Sequence, residues 1–429
     1  MNAPSRQSGG LLLIVLVAIV ARVAACLAFP ANLSDDRDVY LAMATGIREG
    51  RGLSSPGTTI PTAFRPPLYP LLLVPVSDSP FGRAALHCGI AAGMVLAVYW
   101  LAGLSTLSPG RKLFAALVVA VDPLLVYYST LPMTETLAAA GSALLLAAAA
   151  AACKSASVHR RTVYCAMGAV AFGVCVMTRP TYWAFTACVV AFGLWQVIRG
   201  TRDPGKHEPR TRDWVLGGLL TVAIVAPWVI RNGKVMGRPI LTTTHGGYTL
   251  LLGNNDAYYD EVVRQPLGTV WDGSHGPGQQ AWVAHLADQM REAGVEGEIA
   301  TDQWMKDRAW ETIRARPGTF LEACIRRFLS FWAVRPHAES ASAAGRALSL
   351  FSAVWYSALW VALTLGVWNA IRTGGCAVEL SLLLIVAFVL VHLVYWTDAR
   401  MRAPIMPAIA ILAAGAGFKR SANFARKSD

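Results

Sequence analysis

The chain has 429 residues, of which 55% are hydrophobic and only 15% charged, and its net charge is +12. Soluble globular domains carry roughly a quarter charged residues, so this composition, with a mean hydropathy of +0.44, excludes a water-soluble protein of this length and calls for a bilayer. The basic excess is scattered through short loops, which reads as the positive-inside bias of a membrane protein and argues against a nucleic-acid surface.

A span needs about 20 apolar residues. The first run, Leu11–Phe29, is too long for the apolar core of a signal peptide and is interrupted by Arg22, so it reads as a retained helix. Further spans are expected at Ala84–Leu104, Leu113–Tyr128, Thr136–Cys153, Val163–Thr178 and Tyr182–Ile198. The rest follow at Val215–Ile230, Leu348–Ile371, Ala377–Trp396 and Ala403–Phe418. The third, fifth and seventh are short enough to be partly re-entrant. Seven cysteines (Cys26, Cys88, Cys153, Cys165, Cys175, Cys188 and Cys376) sit in or beside apolar runs as small hydrophobes, and Cys324 stands alone in a loop. No disulfide framework is indicated.

Lys and Arg set the orientation. With the N-terminus inside, cytoplasmic loops hold Arg111 and Lys112, then Lys154, Arg160 and Arg161, then Arg199, Arg202, Lys206, Arg210 and Arg212. The C-terminal tail holds Lys419, Arg420, Arg426 and Lys427. The resulting division is an N-terminal membrane region (1–231) with an external loop at 30–83, a second external loop (232–346), C-terminal membrane helices (347–418) and a basic tail (419–429). Near the end of the second loop, Phe320, Leu321, Cys324, Ile325, Phe328, Leu329 and Trp332 recur at helical spacing. That pattern is an amphipathic helix lying on the outer membrane surface or packed on the loop's own small core.

On this topology the ionisable motifs gather at one membrane face. "SDDRDVYLAMA" follows the first span with Asp35, Asp36, Asp38 and Tyr40, and it reads as a helix beginning at Ser34 or Asp35. "FRPPLYP" brings Arg65, "STLPMTETL" Glu135, "MTRPTYW" Arg179, and "YWTDARMRAPIMP" brings Asp398, Arg400 and Arg402. "PWVIRNGKVMGRPILTTTHGGYTLLLGNN" leaves the seventh span with His245, Tyr248, Asn254 and Asn255 in a Gly-rich stretch.

These motifs, in this order, resemble the membrane glycosyltransferases of the GT-C fold, near the protein O-mannosyltransferases and the aminoarabinose transferase of lipid A. The matching elements are an acid four residues before a Tyr (Asp36 and Tyr40), "RPPLYP", "S…TET", "TRP", "PW.IRN" and "R.R.P..P". The resemblance covers Leu11 to Gly417. It implies an all-α bundle of about ten or more membrane helices with two long extracytoplasmic loops, in a bacterial inner membrane. It also implies an enzyme that moves a hexosyl or pentosyl group from a polyprenyl-phosphate donor to a protein, glycolipid or cell-envelope acceptor, with inversion.

Such chemistry needs a base for the acceptor proton and cations for the leaving phosphate. Asp36 is the candidate base. Relatives carry a second acid after the first, where this chain has Arg37, and the alternative register makes Asp35 and Asp36 the acidic pair. Asp38 is expected to point away and to be dispensable. Arg400 and Arg402 are candidates for the donor phosphate, with a snorkelling interfacial pair as the bland alternative; Arg65 is a further candidate. Tyr40, Glu135, Arg179, Tyr248 and Asn254 are candidate substrate contacts. Glu135 is equally read as half of a structural ion pair, and Arg22 as its possible partner. No cofactor is called for, a divalent metal being left open, and the eight histidines form no metal-ligand pattern with the acids. A transporter of lipid-linked sugars, the competing class, would place its polar groups near the membrane midplane, often in an internal repeat. A membrane scaffold would show no convergence of Asp and Arg.

Overall fold

The computed structural model describes residues 3–199, 211–335 and 343–416, and among them the only β pairing is one isolated bridge between Ser54 and Pro61. Arg202, Lys206, Arg210 and the basic tail lie outside the described residues.

The first helix, α1 (Ala3–Ala28), is followed by a loop that carries α2 (Tyr40–Arg48) and α3 (Leu68–Leu73). Next come α4 (Pro80–Gly103), α5 (Pro109–Val121), α6 (Pro123–Tyr128), α7 (Glu135–Lys154), α8 (Val158–Val176), α9 (Tyr182–Arg199) and α10 (Thr211–Met236). The second long loop folds into α11 (Gly246–Gly253), α12 (Asp256–Tyr258), α13 (Gly278–Glu292), α14 (Glu298–Ala315) and α15 (Pro317–Phe331). The chain closes with α16 (Ala343–Thr373), α17 (Cys376–Val394) and α18 (Met406–Ala414).

Seven of these helices, α1, α4, α7, α9, α10, α16 and α17, are long and apolar enough to cross a membrane. The protein is therefore a multi-pass membrane protein. The other three expected spans show why a length rule alone misses them. The third is broken in two, because Pro123 has no N–H to continue the α5 ladder. The fifth is α8, a 19-residue helix that opens with Arg160 and Arg161. The tenth is a 3₁₀ turn, Ala399–Ile405, leading into the nine-residue α18, which is buried along its whole length. Helix α18 approaches α16 so closely that a Cβ on Gly366 would strike the Leu412 carbonyl, so glycine is required there. The seventh expected span is not short: α10 has 26 residues and contains Pro227.

The break in the third span leaves carbonyls without partners, and Arg22 takes them. Its guanidinium is fully buried and donates to Ala120 O at 2.9 Å, Ala18 O at 3.0 Å and Val119 O at 3.4 Å. A cation at a helix C-terminus satisfies both the orphan carbonyls and the helix dipole. Arg22 is thus not the partner of Glu135. Asp122 caps α6, accepting from Leu125 N at 3.0 Å, from the Tyr356 hydroxyl at 3.1 Å and from Trp355 Nε1 at 3.2 Å.

Helix α7 runs through the middle, packed against α4, α8 and α17. Its many buried alanines let these neighbours come close. At one end of the bundle Cys153 and Cys376 are joined, which corrects the expectation that all the cysteines are unpaired. The two long loops collect at the other end. There α15 buries Ala323, Arg327 and Phe331 on one side and leaves Leu321, Ile325, Phe328 and Leu329 exposed on the other.

Candidate active site

The helix expected to begin at Ser34 or Asp35 begins only at Tyr40. Residues Pro30–Ser34 form a 3₁₀ turn, and Val39 sits in the left-handed region at φ 60° and ψ 14°. It is the one non-glycine residue with positive φ among the described residues, and for a β-branched side chain that conformation is strained. The strained turn folds Asp36 back over the start of α2. Its Oδ1 accepts from Leu41 N at 2.9 Å and its Oδ2 from Ala42 N at 2.8 Å. Two orphan helix donors are thereby satisfied. Asp36 and Tyr40 therefore do not share a face one helical turn apart; Tyr40 is buried edge-on against Tyr69 at 5.2 Å.

The same turn swings Asp38 into the centre. Arg65 donates from Nη2 to Asp38 Oδ1 at 2.9 Å and from Nε to its backbone oxygen at 3.1 Å. Arg400 donates from Nη1 to Asp38 Oδ2 at 3.1 Å. The expectation that Asp38 points away is overturned. Beside this triad Arg179 donates to Glu135 Oε1 at 2.6 Å and to Thr134 Oγ1 at 3.0 Å, and Glu135 is fully buried. Met401 Sδ accepts from Arg179 at 3.6 Å, and Met133 Sδ from Arg400 at 3.9 Å. Arg400 Nε lies 3.6 Å from Asp398 without a hydrogen bond.

The two central acids are tuned in opposite directions. Burial pushes the Asp36 carboxyl above its ordinary value, against the pull of the two backbone N–H groups; the nearby Asp38 charge adds to the rise. Burial also pushes Asp38 up, but Arg400, Arg65 and Arg179 outweigh it and hold Asp38 below its ordinary value. His245 packs against Phe64 at 4.3 Å and stacks with Tyr248 at 5.3 Å. Burial, then Arg65, lower its pKa to about 3, so the imidazole is neutral at physiological pH.

Against solved structures, the chain superimposes on the oligosaccharyltransferase of Archaeoglobus fulgidus in its apo form with a TM-score of 0.55, at 14% identity, over 95% of this chain and 50% of that one. The AglB oligosaccharyltransferase from the same organism, in complex with an inhibitory peptide and a dolichol-phosphate, matches with a TM-score of 0.52, at 14% identity, over 94% and 50%. The bundle is the GT-C fold of membrane glycosyltransferases. ArnT from Cupriavidus metallidurans bound to undecaprenyl phosphate also aligns, with a TM-score of 0.46, at 13% identity, over 95% and 78%. The chain spans about half the length of the oligosaccharyltransferase it matches. No family model and no curated protein sequence matches it.

In this GT-C bundle the candidate residues fall into two groups. Asp36, Asp38, Arg65, Arg179, Glu135, Arg400 and the Phe64–His245–Tyr248 ring cluster meet at the loop end. Asp35 does not join them: it pairs with Arg37 at 2.7 Å, both half-exposed. Arg402 is also removed. It is 1% exposed, donates to Phe331 O at 3.0 Å and Ala333 O at 2.6 Å, and lies over the Tyr356 ring at 4.0 Å. Asn254 is fully buried, with its amide nitrogen on Leu250 O and Val394 O and its oxygen on Arg327 and Tyr259. Asn255 caps the next turn through Tyr258 N at 2.8 Å. Among the described residues no group of three or more His, Cys, Asp and Glu is arranged to hold a metal ion.

Proposed function

We propose that the protein is a glycosyltransferase that takes a sugar from a polyprenyl-phosphate donor and transfers it, with inversion, to an acceptor on the extracytoplasmic side of a bacterial inner membrane. The observation that carries this reading is the convergence of Arg65 and Arg400 on Asp38, beside a second acid, Asp36, whose pKa is raised. An acid poised upward is the better base, while one locked by guanidiniums stays charged. Asp36 takes the proton from the acceptor hydroxyl or amine. The acceptor atom attacks the anomeric carbon, the carbon–oxygen bond to phosphate breaks, and the electron pair leaves with the phosphate. Arg65 and Arg400 balance the charge that grows there. A single displacement inverts the anomeric centre. Phosphate leaves without a general acid.

Two further observations support the reading. A GT-C neighbour was solved with dolichol-phosphate bound, and Arg111, Lys112, Lys154, Arg160 and Arg161 all lie at or near the end of the bundle opposite the loops, as the positive-inside rule requires of an extracytoplasmic site. The test is release of labelled sugar from synthetic polyprenyl-phosphate hexoses and pentoses by the protein in proteoliposomes. Free polyprenyl phosphate and an inverted product are expected. No release from any donor, together with movement of intact donor between leaflets, would replace this reading with lipid transport.

A further inference from the structure

The second long loop is fastened to the first by one carboxylate that no part of the reaction uses. Glu298 opens α14, where an acid is favoured by the helix dipole alone. Its oxygens do not cap their own helix. Instead Oε1 accepts from Ala63 N at 2.8 Å and from the Thr244 hydroxyl, and Oε2 accepts from the Thr62 hydroxyl. Thr62 and Thr244 are 2% and 7% exposed, and Ala63 is fully buried. Thr244 N also donates to Ala63 O at 3.1 Å. One helical turn on, Asp302 accepts from Gly247 N at 2.6 Å. Residues four apart share a helix face, so α14 grips both sides of the junction. A Cβ on Gly247 would strike the Asp302 carbonyl, so only glycine allows that approach.

The residues that follow the gripped positions are those of the site. Ala63 is succeeded by Phe64 and Arg65, and Thr244 by His245, whose ring meets Phe64. Arg231, at the end of α10, donates to Thr62 O at 2.7 Å and to Leu53 O, and so closes the knot from the membrane side. We infer that Glu298 is a positioning residue that latches α14 onto the first loop and so holds Arg65 and His245 where the donor phosphate arrives. The donor half of this inference rests on the proposed function; the latch itself does not.

The test uses the full-length protein in detergent. Glu298→Ala should speed amide exchange in both 62–66 and 244–249, while Glu298→Gln, which keeps an acceptor oxygen, should preserve protection. Unchanged exchange in either segment of the Ala variant overturns the latch, whether or not any donor binds. If the Ala variant fails to fold, Thr244→Val, which removes one donor, should still loosen 62–66, and unchanged exchange there counts equally against the latch. Binding of polyprenyl phosphate should weaken on the order of ten-fold in Glu298→Ala and be restored in Glu298→Gln. In an Arg65→Ala background Glu298→Ala should cost little more, because residues acting through one another are not additive. A full further loss there overturns the link to Arg65. Failure of the wild type to bind polyprenyl phosphate counts against the proposed function, and the exchange result still decides the latch.

Discussion

Asp38 stands between two arginines from opposite ends of the chain, with Arg65 at 2.9 Å from one carboxylate oxygen and Arg400 at 3.1 Å from the other. Two guanidiniums brought this close repel each other unless a charge separates them. Asp38→Asn keeps the shape and removes that charge. Polyprenyl-phosphate donor KM should rise about ten-fold, with a smaller change in kcat. A donor KM equal to wild type would make Asp38 the spare residue its place in the sequence suggests.

Asp36→Asn should lower kcat by roughly 10²–10⁴-fold, the range for a lost general base, while Asp35→Asn stays near wild type. Steady-state rates of the two variants decide between the registers. A dead Asp35→Asn beside an active Asp36→Asn would reverse the assignment.

The pH profile follows from the opposite shifts of the two acids. Asp36, raised, must be deprotonated to act, so kcat/KM should fall as pH drops through a value above the ordinary aspartate range. Asp38, lowered, contributes stability above its unfolded pKa and loses it only as pH falls through the folded value. On acidification activity should therefore disappear before the fold does. His245 is neutral across this window, so His245→Gln should leave the shape of the profile unchanged.

Glu135 and Arg179 form a buried pair at 2.6 Å, with the Glu135 side chain 0% and the Arg179 side chain 14% exposed. Removing one partner strands the other charge, so Glu135→Ala should cost about 3–5 kcal/mol of stability. Thermal unfolding in detergent reads this loss, and Glu135→Gln, which retains an acceptor, should lose less.

Arg400 and Arg402 should separate cleanly. Arg400→Ala should weaken donor binding by about ten-fold or more, with only partial rescue by lysine, which lacks the planar fork. Arg402→Ala should lower the unfolding temperature, because its carbonyl and aromatic contacts are internal. Titration of polyprenyl phosphate against both folded variants checks the division.

Ser274 lies exposed in the second long loop. A cysteine placed there should react with a membrane-impermeant reagent added from outside the cell. Reaction from the cytoplasm alone would invert the proposed topology.

The apolar runs made the bundle readable, because span length and hydropathy are local properties. The broken third span shows the limit: most of its residues are apolar, but Asp122 and Pro123 in its middle decide that they form two helices. Within the site, Arg65, Arg179 and Glu135 were legible as polar groups at membrane ends. The role of Asp38 was not, because it depends on a left-handed Val39 that no β-branched residue advertises. Arg400 and Arg402 are two residues apart, and only the 3₁₀ turn sends one toward Asp38 and the other inward. His245 was legible only as one polar residue of a Gly-rich stretch after the seventh span. Glu298 gave no signal at all, since its partners lie 54 to 236 residues away.

The buried carboxylate at the break in the third span also ties that span to a helix far along the chain. Asp122 leaves the ribosome early, but the indole and phenol that receive it, Trp355 and Tyr356, lie 233 and 234 residues downstream. An unsheltered acid at membrane depth costs about 2.5–3.5 kcal/mol, a large penalty for a span already cut short. The α5–α6 segment gains these two donors only where α16 packs beside it.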